Sequence, residues 1–144
     1  MKRVVLAIKN VLVLEAVSNA LRRKGFLVTN ASSQDAQEIL NLTDGLLAHF
    51  LIMDVLKTEE CSFDKRMDIV KLIKNQNLDI KIAFLVDNAS NENDAYKIKR
   101  VKEEGMIDTF FYESVPSDYL VDVRRIIVQV AELAGVLYRV GFLA

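Results

Sequence analysis

Only one cysteine, Cys61, and one histidine, His49, occur in 144 residues. No disulfide can therefore form within the chain, and no Cys/His zinc cluster can be assembled. The lone thiol points to a reducing compartment. A basic surplus is missing as well, since 19 lysines and arginines face 20 aspartates and glutamates. Without a global basic field there is no electrostatic case for direct binding of nucleic acid. No apolar run reaches the roughly 18 to 20 residues of a membrane span. Lys2 and Arg3 precede a short apolar run at the N-terminus, but Lys9 and Asn10 interrupt it and no small-residue cleavage site follows. A cytoplasmic protein with no membrane contact and no cofactor is the expectation.

The near balance of charge accompanies an apolar half of the composition, which suits a globular domain rather than a disordered chain. The length suits one domain, residues 1–144, able to bury a single core without disulfides or metals. Apolar runs of strand length alternate with stretches of helical period, the pattern of a parallel sheet wrapped by helices. Strands are expected at Val4 to Ile8, Phe26 to Thr29, Phe50 to Val55, Ile80 to Val86 and Ile107 to Tyr112. The first helix is expected from Val11 to Lys24, with Val13, Ala16, Val17, Ala20 and Leu21 on one face and Gly25 as a left-handed cap. Ser32-Ser33-Gln34-Asp35 carries a Ser-x-x-Asp capping pattern that predicts a helix through Leu40. Met67, Val70 and Ile73 mark a third helix, and Ala95, Ile98 and Val101 a fourth, ended by Gly105. Ser117 would cap a long last helix with Leu120, Val123, Ile127 and Val130 facing the core. The fold class is α/β: a flavodoxin-like, doubly wound sheet of five parallel strands in the order 2-1-3-4-5, with helices on both faces. Ligands bind such sheets at the carboxyl ends of the strands, where Leu56 to Phe63 and Asp87 to Asn93 form loops rich in acids, Asn and Ser.

Leu51-Ile52-Met53-Asp54-Val55, Lys24-Gly25-Phe26 and Glu104-Gly105-Met106 are the most specific local features. Together, at spacings close to the family's and over residues 2–130, they resemble the receiver domains of two-component response regulators. The resemblance places Asp54 at the phosphoacceptor position. It also implies an acidic pair at the end of the first strand that holds Mg²⁺ beside the phosphoacceptor. Ile8-Lys9-Asn10 stands there instead, in any register. The family's Ser or Thr after the fourth strand falls near Val86 or Asp87, with Ser90 a few residues on. Its lysine after the fifth strand falls on Tyr112, or on Val115 if Pro116 is taken as the matching proline. Of that catalytic set only Asp54 survives, so the resemblance is to a degenerate member, a pseudo-receiver. Lys9, Asn10, Asp87 and Tyr112 would line its vestigial pocket.

Asp54 is read either as a phosphoacceptor or as an inherited carboxylate in a permanent ion pair with Lys9, and the second reading is preferred. Asp87 would be a second acid near Lys9. His49 precedes a strand and is expected to be a surface or satisfied core residue. Cys61 lies in Thr58-Glu59-Glu60-Cys61, where negative neighbours should disfavour the thiolate, and no role is assigned to it. Lys97, Lys99, Arg100 and Lys102 form a basic cluster on the fourth helix, either a solvated face or a docking surface. Residues 134–144 extend the last helix, and Val136, Leu137, Val140, Phe142 and Leu143 are too apolar for a free chain end. They would form a homodimer surface, unless the chain is one domain of a longer protein.

The expected function is a non-catalytic regulatory or protein-interaction module, independent of phosphorylation. It would dock on a protein partner, on a second copy, or on further domains of the same polypeptide. One alternative is a flavodoxin-like domain for a small ligand or nucleotide, against which no Gly-rich phosphate loop follows the first strand, where Asn10-Val11-Leu12-Val13 stands. The other is an atypical receiver still phosphorylated at Asp54. No Ser/His/Asp arrangement or metal-ligand spacing argues for an enzyme.

Overall fold

Alternation at period two gives each strand two faces, and the structure, a computed structural model describing residues 2–76, 79–87 and 92–113, buries both along the three central strands. The described elements are β1 (Arg3–Ala7), α1 (Val11–Arg23), β2 (Leu27–Asn30), α2 (Ala36–Gly45), β3 (Phe50–Val55), α3 (Phe63–Asn75), β4 (Lys81–Asp87), α4 (Glu92–Glu103) and β5 (Thr109–Glu113), with a 3-10 turn at Glu59–Cys61. The strands form one sheet in the order β2-β1-β3-β4-β5, and every neighbouring pair is parallel. That is the expected topology. Val4, Leu6 and Ile52 pack with Val13, Val17 and Leu21 of α1 on one face. Val5, Leu51 and Met53 pack with Ile39 of α2, Val70 and Ile73 of α3 and Ile98 of α4 on the other. Each such side chain, fully buried, stabilises the fold by roughly 1.5 to 3 kcal/mol.

Expected boundaries shift by small amounts. β2, β4 and β5 each start one or two residues later than expected, and β3 matches at both ends. The Ser32 cap is corrected. Asp35 is the N-cap of α2, its carboxylate accepting from the Glu38 N–H at 3.1 Å, and the helix runs on to Gly45. Asp35 has a capping partner three residues on, whereas Ser32 would have had only Asp35. The expected last helix from Ser117, its core positions Leu120, Val123, Ile127 and Val130, and the tail with Val136, Leu137, Val140, Phe142 and Leu143 lie outside the described residues. So do Ser90, Val115 and Pro116.

α1 begins at the carboxyl end of β1 because Asn10 caps it, its side-chain oxygen accepting from the Leu12 and Val13 N–H groups at 3.1 and 3.3 Å. This cap fixes the short link Ile8-Lys9-Asn10 over the end of β3. The link's own amides are thereby left to face that strand end.

Candidate functional site

Asp54 is the penultimate residue of β3, and its side chain is 0% exposed. A carboxylate so placed needs partners for both oxygens. Oδ2 accepts from the Lys9 N–H at 2.9 Å and from the Asn10 N–H at 3.3 Å, the two amides that lead into α1. The positive end of the helix dipole adds to this placement. Oδ1 accepts from Arg66 Nη2 at 2.8 Å, and the Arg66 side chain is also 0% exposed.

Arg66 stands in the first turn of α3, one turn before Ile69 and Val70 and two before Ile73, all buried. It therefore points with the apolar stripe into the protein. Its Nε donates to the Asp54 carbonyl at 2.7 Å, so Nε and Nη2 grip one residue by both its backbone and its carboxylate. Nη2 also lies 2.9 Å from the Ala7 carbonyl, 2.7 Å from Gln34 Oε1 and 3.3 Å from Cys61 Sγ. Nη1 is buried and finds no acceptor among the described residues. Compensation for burying this charge thus comes through Nε and Nη2, and among the described residues Asp54 is the anionic partner they reach.

The expected ion pair between Lys9 and Asp54 is not formed. The Lys9 ammonium reaches outward to Glu60, and both side chains are about half exposed. Glu60 raises the Lys9 pKa, chiefly through their hydrogen bond. Lys9 serves Asp54 through its backbone, and the cation beside Asp54 is Arg66, a residue not singled out in the sequence. Its signal was an arginine inside the apolar period of a helix.

Asp87 and Tyr112 are placed by their backbones at the carboxyl ends of β4 and β5, in register with Glu113 and Val86 respectively. Their side chains lie outside the described part of the chain. Cys61 is buried, and burial is the leading cause that pushes its thiol pKa up, against the Arg66 charge that lowers it. The expected direction stands, but desolvation rather than acidic neighbours is its main source. His49 Nδ1 accepts from the Arg3 N–H at 3.0 Å, which makes it a satisfied residue of the amino end. In the basic cluster, the Lys97 ammonium lies 5.9 Å from the Phe63 ring centre and that of Lys102 5.7 Å from Phe110. Arg100 pairs with Glu104 at 3.1 Å.

The resemblance of the sequence to receiver domains raises the question of Mg²⁺, and the described residues around Asp54 do not fit it. A hard divalent cation wants several oxygens, usually including more than one carboxylate. Asp54 already spends both oxygens, Lys9 and Asn10 offer amide hydrogens, and a guanidinium stands against the carboxylate. Among the described residues no group of three or more His, Cys, Asp or Glu side chains could hold a metal ion. Open clefts flank the edge, one lined by Ser33, Gln34, Glu60 and Lys65 and another by Lys57, Phe63, Asp64 and Lys97. Asp54 lines neither.

No protein-family model matches the chain, and no curated protein matches it by sequence. Solved structures do match. A response regulator receiver protein from Burkholderia phymatum has a TM-score of 0.71 at 13% identity, over 97% of this chain and 100% of that one. The receiver domain of a Francisella response regulator gives 0.65 at 16% identity, over 92% of this chain and 96% of that one. The response regulator TrrA from Thermotoga maritima, solved in complex with Mg²⁺-BeF, gives 0.63 at 19% identity, over 92% and 99%. At these identities the likeness is one of fold, and the chain has the flavodoxin-like receiver fold over most of its length. No helix among the described residues is long and apolar enough to cross a membrane.

Proposed function

We propose that this chain is a non-catalytic regulatory module, a pseudo-receiver that works by docking on protein surfaces and is not switched by phosphorylation. The observation that carries the reading is the closure of Asp54. A carboxylate attacks phosphorus through an oxygen lone pair that the donor can reach. Here Oδ1 faces Arg66, Oδ2 faces two amides, and the side chain is fully buried. Phosphoryl transfer also depends on several parts acting together, and a metal-holding set of acids is missing from the link Ile8-Lys9-Asn10. What remains useful at this edge is a rigid surface. A protein partner, a second copy of the chain or further domains of the same polypeptide would read it.

The test is incubation of the protein with acetyl phosphate, or with beryllofluoride, in the presence of Mg²⁺. The expected outcome is no mass increase and no metal-dependent shift of the Asp54, Lys9 and Asn10 amide signals. Stoichiometric labelling of Asp54 would falsify this reading and leave an atypical but working receiver in its place.

A further inference from the structure

We infer that Arg66 fills a guanidinium-binding site, so that this sheet edge carries its own tethered cation. The inference rests on the sealed edge described above and adds the chemistry that the site recognises. Five acceptors from four separate stretches of chain converge on the Arg66 head group: Ala7 O at the end of β1, Gln34 Oε1 before α2, Asp54 O and Oδ1 on β3, and Cys61 Sγ in the 3-10 turn. Nε–H and one Nη2–H lie along one edge of the planar group and meet the two Asp54 oxygens side by side. Nη2 also has Ala7 O, Gln34 Oε1 and Cys61 Sγ within reach.

The walls select for that shape. An ammonium is a point charge on a flexible stem and cannot supply two parallel donors from one edge. The acceptors lie 2.7 to 3.3 Å from the nitrogens, the range of N–H donation. Magnesium would need near-octahedral oxygens at about 2.0 to 2.1 Å, and the set offers a single carboxylate oxygen, neutral carbonyls and a thiol. A planar monocation is therefore the matching guest. By joining β1, the approach to α2, β3 and the 3-10 turn, it also keeps these segments in one arrangement. Arg66 acts through Asp54 and the link over it, as a positioning residue.

Chemical rescue tests this directly. Arg66→Ala leaves all five acceptors in place, since none of them belongs to Arg66. Guanidinium chloride at about 50 mM, far below denaturing levels, should raise the thermal midpoint of R66A by roughly 3 to 5 °C for a site of about 10 mM affinity. It should also sharpen the Lys9 and Asn10 amide signals. Equal concentrations of sodium or magnesium chloride should do neither, and the wild-type midpoint should not rise. Rescue by Mg²⁺, or no more rescue by guanidinium than by sodium, overturns the inference. Should R66A fail to fold, the wild-type protein supplies the second measurement. A seated guanidinium gives an Arg66 Nε–H protected from solvent exchange, and an Nε–H that exchanges freely overturns the proposal. Failed rescue without phosphoryl labelling sinks this inference alone, whereas labelling of Asp54 sinks the functional reading whatever guanidinium does.

Discussion

At the scale of single residues, Lys9 and Arg66 show why a carboxylate's partner depends on reach as well as on sequence position. Lys9 is adjacent to the Asp54 carboxylate through its backbone, yet its long side chain gains more by remaining hydrated beside Glu60. Arg66 starts twelve residues after Asp54 in sequence and is carried inward by the apolar face of α3. Removing one member of a buried pair leaves the other uncompensated, so Arg66→Met is expected to cost about 3 to 5 kcal/mol in chemical denaturation. Lys9→Met, by contrast, should leave the denaturation midpoint nearly unchanged, because an exposed pair is screened by solvent. A large loss in Lys9→Met would return the ammonium to the role the sequence suggested. The position of Asp54 was legible in the sequence, from the apolar run that ends in it. Its partner was not, because the arginine's direction follows from the rotation of α3 against the sheet.

His49 offers a pH test at the same scale. Its Nδ1 accepts the Arg3 N–H, which requires that nitrogen to be unprotonated. Burial, followed by the charges of Arg3 and Lys2, lowers its pKa from 6.5. Between the folded and unfolded values the unfolded chain holds more protons, so stability rises with pH there. The contribution is complete above the unfolded value and is lost as pH falls toward the folded one. The thermal midpoint should therefore drop on going from pH 7 to pH 5, and less so in His49→Asn, whose side-chain oxygen can accept the same N–H. Equal slopes in the two proteins would remove His49 as the titrating group.

At the scale of elements, three helices close in the same way with different residues. α1 ends with the Phe26 N–H on the Leu21 carbonyl at 3.1 Å, α2 with Ala48 on Thr43 at 3.0 Å, and α4 with Met106 on Val101 at 2.9 Å. In each the preceding residue has a positive φ: Gly25 at 92°, Leu47 at 50° and Gly105 at 80°. The two glycines announced their caps in the sequence. The end of α2 lies beyond the expected Leu40, because a leucine at the left-handed position does not mark a cap in the sequence and costs energy there. Gly25→Ala meets no atom within 4 Å, so its expected loss of about 1 kcal/mol comes from backbone strain alone. Leu47→Gly relieves the same strain, and a gain of roughly 0.5 to 1 kcal/mol is expected, less whatever entropy the glycine adds to the unfolded chain. Urea denaturation of both variants checks the pair, and a Leu47→Gly protein less stable than wild type would show that the leucine side chain contributes more than its conformation costs.

At the scale of the molecule, the strand order was readable because each buried strand had a continuous apolar run and each helix a separate apolar stripe. What the molecule does with its outer surface was less readable, since exposed apolar residues are ordinary until they cluster. Two segments compete as the contact with a second copy. One is the tail Val136, Leu137, Val140, Phe142 and Leu143, argued from composition alone. The other is at the amino end of the sheet, where Leu27 and Leu47 are 53% and 70% exposed. Both adjoin Arg3, which is in register with Leu27 and donates from Nε to the Leu47 carbonyl at 3.0 Å. A symmetric dimer buries the same patch twice, the commonest arrangement for identical chains. Burial of five tail side chains at roughly 1.5 to 3 kcal/mol each exceeds what two leucines can supply, so the tail is the expected contact. Light scattering at micromolar concentration should then give a dimer mass for the full chain and a monomer mass for a version ending at Ala134. If the shortened chain remains a dimer and Leu47→Gly makes it a monomer, the contact belongs to the amino end. A full chain that is monomeric leaves the tail without a role in self-association.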